Sequence, residues 1–161
     1  MSERVRSATT VVGDLAVHQV VTVGPGSSLR DCARAMREKH VGSLVIVEAE
    51  STRPVGIITD RDVVVEAVAV GLDPDVITAG DIAIEPLVTI GKGEHVLEAV
   101  ARMRENGVRR LAVTTSKGQL VGVLSLDDLI GVLAEQLDGM ARIIASERFK
   151  ENATRSYATR A

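Results

Sequence analysis

Four side chains in this sequence have the type and spacing for recognition chemistry: Thr59 and Asp62, then Ser125 and Asp128. Each hydroxyl residue closes an apolar run, Gly56-Ile57-Ile58 or Gly122-Val123-Leu124, and each carboxylate follows three positions later. That is the pattern of a strand ending on a hydroxyl and turning into the first turn of a helix. Taken alone, hydroxyl-x-x-carboxylate at a helix start is a capping box, with both side chains satisfying free backbone N–H groups. The same carboxylate can also accept two hydrogen bonds from the vicinal hydroxyls of a ribose. The adjoining helix N-terminus suits phosphate oxygens. The two uses are compatible. The corner occurs twice, so the chain offers two candidate ligand corners.

Other chemistries are poorly served. Aromatic residues make up 1% of the chain and the formal net charge is −3, which leaves neither stacking platforms nor a basic field for nucleic acid. His18, His40 and His95 lack ligand spacing, and one cysteine cannot build a zinc cluster, so no metal is expected. Cys32 falls on an apolar helix face and reads as a buried, inert thiol. Gly24-Pro25-Gly26 and Gly91-Lys92-Gly93 are strand-to-helix turns, not phosphate loops, because no Gly-Lys-Ser/Thr follows. No nucleophile stands with a base, so the reading is non-catalytic. There is no signal-peptide core and no apolar run of membrane-spanning length, which gives a cytoplasmic expectation.

The elements that must position the two corners are themselves repeated. Gly13-Asp14-Leu15-Ala16 matches Gly80-Asp81-Ile82-Ala83 at an offset of 67 (13 to 80), and Val21-Thr22-Val23-Gly24 matches Val88-Thr89-Ile90-Gly91 at the same offset. Past a one-residue deletion the offset is 66 (56 to 122), and Thr59 then falls on Ser125 and Asp62 on Asp128. Each repeat reads as a short lead-in helix (12–16; 79–83), a strand (20–23; 87–90), an amphipathic helix, two apolar strands (43–47 and 55–58; 111–114 and 120–124) and a helix starting at Asp60 or Leu126. The first amphipathic helix has the apolar set Leu29, Cys32, Ala33 and Met36; the second has Val96, Ala99, Val100 and Met103. Ser27 and Glu94 stand near the helix starts. The order is β-α-β-β-α twice, an α/β (α+β) chain of two repeats packed as a pseudo-twofold pair plus a C-terminal helix. The expected divisions are a mobile N-terminus (1–10), repeat 1 (11–73), repeat 2 (74–138) and a helical extension with a frayed tail (139–161). In the last helix Leu126, Ile130, Leu133, Leu137, Met140 and Ile144 form a heptad seam; its first half can pack on its own sheet, and its second half, beyond Gly139, can meet another chain.

The doubled frame with its Gly-x-x-Thr-Asp-Arg-Asp and Gly-x-x-Ser-x-Asp-Asp corners resembles the tandem CBS-domain family (the cystathionine β-synthase repeat) in its small standalone bacterial form. The resemblance covers about residues 11–137 and extends to Val108-Arg109-Arg110-Leu111. It implies a homodimer that binds an adenosine-containing ligand in the cleft between repeats and reports to a protein partner the sequence does not name. AMP, ADP or ATP is the expected ligand; NAD and S-adenosylmethionine share the adenosine half, and a ligand-free interaction module is the alternative. Asp62 and Asp128 are implied as ribose ligands, with Thr59 and Ser125 beside them. Thr22 and Thr89 correspond to adenine-seating positions, Val41 and Val108 to apolar positions flanking the base, and Arg109 and Arg110 to phosphate-binding positions. The repeats differ usefully: Arg61 stands beside the first aspartate where Asp127 stands near the second, and Arg109-Arg110 replace Gly42-Ser43. A phosphate meets a guanidinium fork at one corner and like charge at the other. The corner of Thr59 and Asp62 is therefore the expected nucleotide site.

Overall fold

A computed structural model describes residues 11–48, 50–83 and 87–158, with side chains described to residue 147. The expected mobile segment 1–10 lies outside these residues. The chain divides into two compact units at the junction of Ser125 and Leu126. The first contains two three-stranded sheets of matching topology. In repeat 1, α1 (Val12–Leu15) precedes β1 (Thr22–Val23), α2 (Leu29–Lys39), β2 (Ser43–Val47) and β3 (Pro54–Thr59), then α3 (Asp60–Asp62), which continues as a π-helical turn over Val63–Val68. In repeat 2, α4 (Ala79–Ile82) precedes β4 (Thr89–Gly91), α5 (Val96–Asn106), β5 (Arg110–Thr114) and β6 (Leu120–Ser125). In each sheet the first strand runs parallel to the middle one and the last runs antiparallel to it. The second unit is α6 (Leu126–Ala158), so helix continues well into the segment expected to fray.

The faces follow from residue spacing, with one correction. Leu29, Cys32 and Met36 are buried on α2, as are Ala99 and Met103 on α5, whereas Ala33 and Val100 are exposed. A three-turn helix lying on three strands covers a stripe narrower than the full apolar set, and the residue at i+4 leans out of it. The N-caps are Ser28, whose hydroxyl accepts from the Asp31 N–H at 3.1 Å, and His95, whose Nδ1 accepts from the Leu97 N–H at 3.2 Å. Each lies one residue beyond the expected Ser27 and Glu94. Glu94 instead accepts from the Gly91 N–H at 2.8 Å and pairs with Arg102. The Cys32 thiol is fully buried, and burial pushes its pKa up, the response of an inert thiol.

The lead-in helices are exchanged. Val12 and Gly13 donate N–H groups to the carbonyls of Glu94 (2.9 Å) and Lys92 (2.8 Å) in repeat 2. At the equivalent positions Ala79 and Gly80 donate to Ser27 and Pro25 in repeat 1, both at 2.8 Å. Ala79 is fully buried in the repeat 1 core with Leu44, Ile46 and Ile58. A side chain would crowd this approach: a Cβ at Gly13 would lie 2.9 Å from the Lys92 carbonyl oxygen, closer than such contacts occur, and one at Gly80 3.1 Å from that of Pro25, tight enough that the neighbour must yield. The repeated Gly-Asp-x-Ala motif is therefore the point at which each repeat is tied to the other.

Two outcomes are expected. Gly13→Ala and Gly80→Ala should each destabilise the fold by about 1–3 kcal/mol, the usual cost of overpacking. Gly26→Ala, where an added Cβ meets nothing within 4 Å, should shift a thermal melt far less. Asp81 accepts from the Thr78 N–H at 2.9 Å and from its hydroxyl at 2.7 Å, and these bonds hold its pKa below the usual carboxylate value. A depressed folded-state pKa adds stability above the unfolded carboxylate value of about 4, and that stability is lost as pH falls through the folded one. Asp81→Asn should therefore destabilise at neutral pH and flatten the acid limb of a stability-versus-pH curve.

Candidate functional site

The corner of Thr59 and Asp62 forms because β3 ends on a residue in extended conformation just before a helix begins. Thr59 pairs with Ser43 at the end of the β2–β3 ladder, and the Asp60 N–H donates to the Gly42 carbonyl at 3.2 Å. The chain then turns helical. The Thr59 hydroxyl donates to Asp62 Oδ2 at 2.7 Å and accepts from the Asp62 N–H at 3.2 Å, while the Thr59 N–H donates to Oδ2 at 2.8 Å. This is a complete capping box. It uses one carboxylate oxygen. Among the described residues no hydrogen bond reaches Oδ1, so a half-buried acceptor is held in place by its neighbour.

Alternation along β3 brings Ile57 to the same side as Thr59, since Gly56 and Ile58 are the buried positions. Facing this side is a segment of repeat 2. Helix α5 ends at Gly107 with a left-handed φ of 65°, and the Val108 N–H folds back onto the Met103 carbonyl at 3.0 Å. The chain then passes through Val108, Arg109 and Arg110 into β5. Together with Leu87 and Val88, which lead into β4, these groups line a cleft of about 190 Å³ open to solvent. Its lining holds Ile57, Thr59, Arg61 and Asp62 from repeat 1, and Leu87, Val88, Gly107, Val108, Arg109 and Arg110 from repeat 2. Its lining combines the apolar side chains of Ile57, Leu87, Val88 and Val108 with three guanidiniums and one carboxylate, a local excess of positive charge on a chain of net charge −3. Among the described residues none of the three arginines has a carboxylate within ion-pair distance.

Six residues singled out from the sequence thus meet on one cleft: Thr59, Arg61, Asp62, Val108, Arg109 and Arg110. Thr22, Val41 and Thr89 do not line it. Thr22 opens β1 and is exposed; Val41 packs on the repeat 1 core. Thr89 opens β4, where its carbonyl accepts from Arg102 Nη1 at 3.0 Å. Ser125 closes β6 and Asp128 lies in the first turn of α6, both half-buried. Ile57, Leu87, Val88 and Gly107 were missed. Ile57 carried a signal in its alternation with Ile58, and Gly107 in its place at the end of an amphipathic helix. Leu87 and Val88 carried none, because which repeat they face is set by packing. Among the described residues, no group of three or more His, Cys, Asp or Glu side chains converges as a metal site. No described helix is long and apolar enough to cross a membrane.

Comparison with known proteins places this geometry. Hypoxic response protein 1 of Mycobacterium tuberculosis is 34% identical over 126 residues, which cover 78% of this chain and 87% of that protein. Its crystal structure with two coordinated zinc ions superposes with a TM-score of 0.67, covering 75% of this chain and 97% of that one. A CBS domain protein from Pyrobaculum aerophilum, solved in complex with AMP, is 30% identical with a TM-score of 0.69, covering 74% of this chain and 90% of that one. An uncharacterised protein of Methanopyrus kandleri is 39% identical over 121 residues, which make up 75% of this chain but only 61% of that relative's length. The CBS domain profile matches twice, over residues 12–68 and 79–135. With two sheets, two corners and two matched repeats, this chain belongs to the CBS domain family, as a tandem pair.

Proposed function

We propose that the cleft between Thr59–Asp62 and Val108–Arg110 binds an adenine nucleotide (AMP, ADP or ATP) and that the chain is a non-catalytic regulatory module. The observation that carries this is the placement of Asp62. Its Oδ2 is held by Thr59, and its other oxygen is left for a ribose hydroxyl on a cleft lined by three arginines without carboxylate partners. Ile57, Leu87, Val88 and Val108 give the base an apolar wall, and Arg61, Arg109 and Arg110 give phosphates a guanidinium surface. The AMP complex of the similar Pyrobaculum aerophilum protein supports the same ligand class. At about 190 Å³ the cleft is smaller than the roughly 300–1,000 Å³ of sites that engulf a ligand, so a nucleotide would sit partly in solvent or widen it. Widening would couple occupancy to the arrangement of the two repeats, by no more than the difference in affinity between the two arrangements. Adenosine ligands without this phosphate charge, S-adenosylmethionine among them, would gain less from the arginines, and NAD would use them through its pyrophosphate. In this reading the module works as a homodimer and passes its state to a protein partner.

One observation favours a second reading. The capping box of Thr59 and Asp62 is complete without a ligand, so the corner also has a purely structural use, and the chain would then be an interaction module.

A thermal-shift panel on nucleotide-stripped protein separates the two. A nucleotide at about 100 times its Kd stabilises by roughly 2.7 kcal/mol, a shift of several degrees for a chain of this size. The expected result is a shift with AMP, ADP or ATP that vanishes in Asp62→Ala, a variant that also loses about 1 kcal/mol of stability with its cap. Arg109→Ala and Arg110→Ala should each weaken ADP and ATP by about 10- to 100-fold, the value of a charge-assisted hydrogen bond, while leaving adenosine little changed. No shift with any nucleotide in well-folded protein would favour the interaction module.

A further inference from the structure

Arg102 does not line the cleft, yet its hydrogen bonds end on the chain that forms one wall of it. Its guanidinium uses all three nitrogens. Nη1 donates to the Thr89 carbonyl at 3.0 Å, Nε donates to Glu98 Oε1 at 3.1 Å, and Nη2 pairs with Glu94 Oε2. The side chains of Arg102 and Glu94 are only 32% and 36% exposed, so this pair is less screened by water than a surface pair. Glu94 is fixed through its other oxygen, which accepts from the Gly91 N–H at 2.8 Å. Asn106, the last residue of α5, donates Nδ2 to the Arg102 carbonyl at 2.8 Å.

The wall needs such a tie. Strand β4 has three residues and stands at the edge of its sheet. An edge strand leaves alternate carbonyls without a ladder partner, and Arg102 takes that of Thr89. Just ahead of it, the Val88 carbonyl accepts from the Ala112 N–H at 3.3 Å, long for a backbone hydrogen bond. Leu87 and Val88 are the residues at this strand start that line the cleft. Helix α5, which carries Arg102, leads through Gly107 into Val108, Arg109 and Arg110 on the same cleft. Arg102 thus joins the two segments of repeat 2 that form the cleft. Repeat 1 has no such device: at the offset of 67, Arg102, Glu94 and Glu98 fall on Ala35, Ser27 and Asp31. Asp31 instead accepts from the Ser28 hydroxyl and from Arg34.

We infer that Arg102 is a positioning residue for the nucleotide cleft: by holding the start of β4 to α5 it fixes where Leu87 and Val88 stand relative to Val108, the apolar groups assigned to the base. The inference rests on the nucleotide reading above. The device depends on the fork of the guanidinium as well as on its charge, since one lysine ammonium cannot reach Thr89, Glu94 and Glu98 on three sides. Without it the wall is free to shift, and apparent affinity falls with the fraction of molecules whose wall is competent. The effect acts through the base, so it weakens adenosine and ATP alike. An Arg102 that only attracted phosphate would weaken ATP alone, and one that only stabilised the fold would weaken neither in folded protein.

Titration of the full-length protein with ATP and with adenosine tests this, well below the thermal transition and read by NMR shifts so that weak binding is still followed. Arg102→Met and Arg102→Lys should each weaken both ligands by about tenfold, the result when the competent wall is populated about a tenth of the time. Glu94→Gln keeps an acceptor for the Gly91 N–H but loses the charge. It should weaken both ligands in the same ratio by a smaller factor, and it serves in place of Arg102→Met if that variant does not fold. Arg30→Met removes the exposed Arg30–Asp75 pair of repeat 1 and should leave both affinities within about twofold, as for a surface pair. Unchanged affinities in folded Arg102→Met, a loss confined to ATP, full recovery in Arg102→Lys, or an equal loss in Arg30→Met would each overturn the inference and leave the nucleotide reading standing. No binding of either ligand by the unmodified protein would overturn both.

Discussion

Gly13 and Gly80 each bring a backbone N–H to 2.8 Å from a carbonyl of the opposite repeat, and the cleft depends on that reciprocal contact. Each sheet has only three strands and one amphipathic helix, too little to bury both faces of its apolar strands. Leu44, Val45 and Ile46 on β2, and Leu111, Ala112 and Val113 on β5, are all buried. Consecutive burial requires cover on both faces. Part of that cover comes from the other repeat, through Ala79 in one core and the fully buried Val12 at the matching position. The repeats are thus halves of one fold, and the end of β3 faces the start of β5 because the exchange fixes them there.

Symmetry of fold does not bring symmetry of chemistry. The chain leaves α5 through Gly107 and leaves α2 through His40, both in left-handed conformation, so the two connections have the same shape. The residues after each connection differ: Val108-Arg109-Arg110 in one repeat and Val41-Gly42-Ser43 in the other. Only the first sequence puts guanidiniums opposite a capped aspartate. The charge belongs to repeat 2 and the carboxylate corner to repeat 1. In the proposed reading, a ligand bridging them would respond to the relation of the two halves, which neither repeat alone can supply. The corner itself is economical in hydrogen bonds, since a single oxygen of Asp62 serves both Thr59 donors and no described hydrogen bond reaches the other.

The sequence by itself determined the repeat, the order β-α-β-β-α, the positions of both hydroxyl–carboxylate corners and the starts of the helices at Asp60 and Leu126. These are local properties: spacing of apolar residues, glycine at turns, a hydroxyl before a helix. Tertiary structure decided the rest. It packed each lead-in helix on the opposite repeat, which no pattern within residues 12–16 specifies, because identical motifs fit either partner and the chain path chooses. Through the width of the covering sheet it left Ala33 and Val100 in solvent. It set Leu87 and Val88 against the corner of Thr59 and left Thr22, Val41 and Thr89 off the cleft, because cleft membership joins residues about 50 positions apart. Periodicity reports which side of an element is apolar; only the packed chain reports what that side meets.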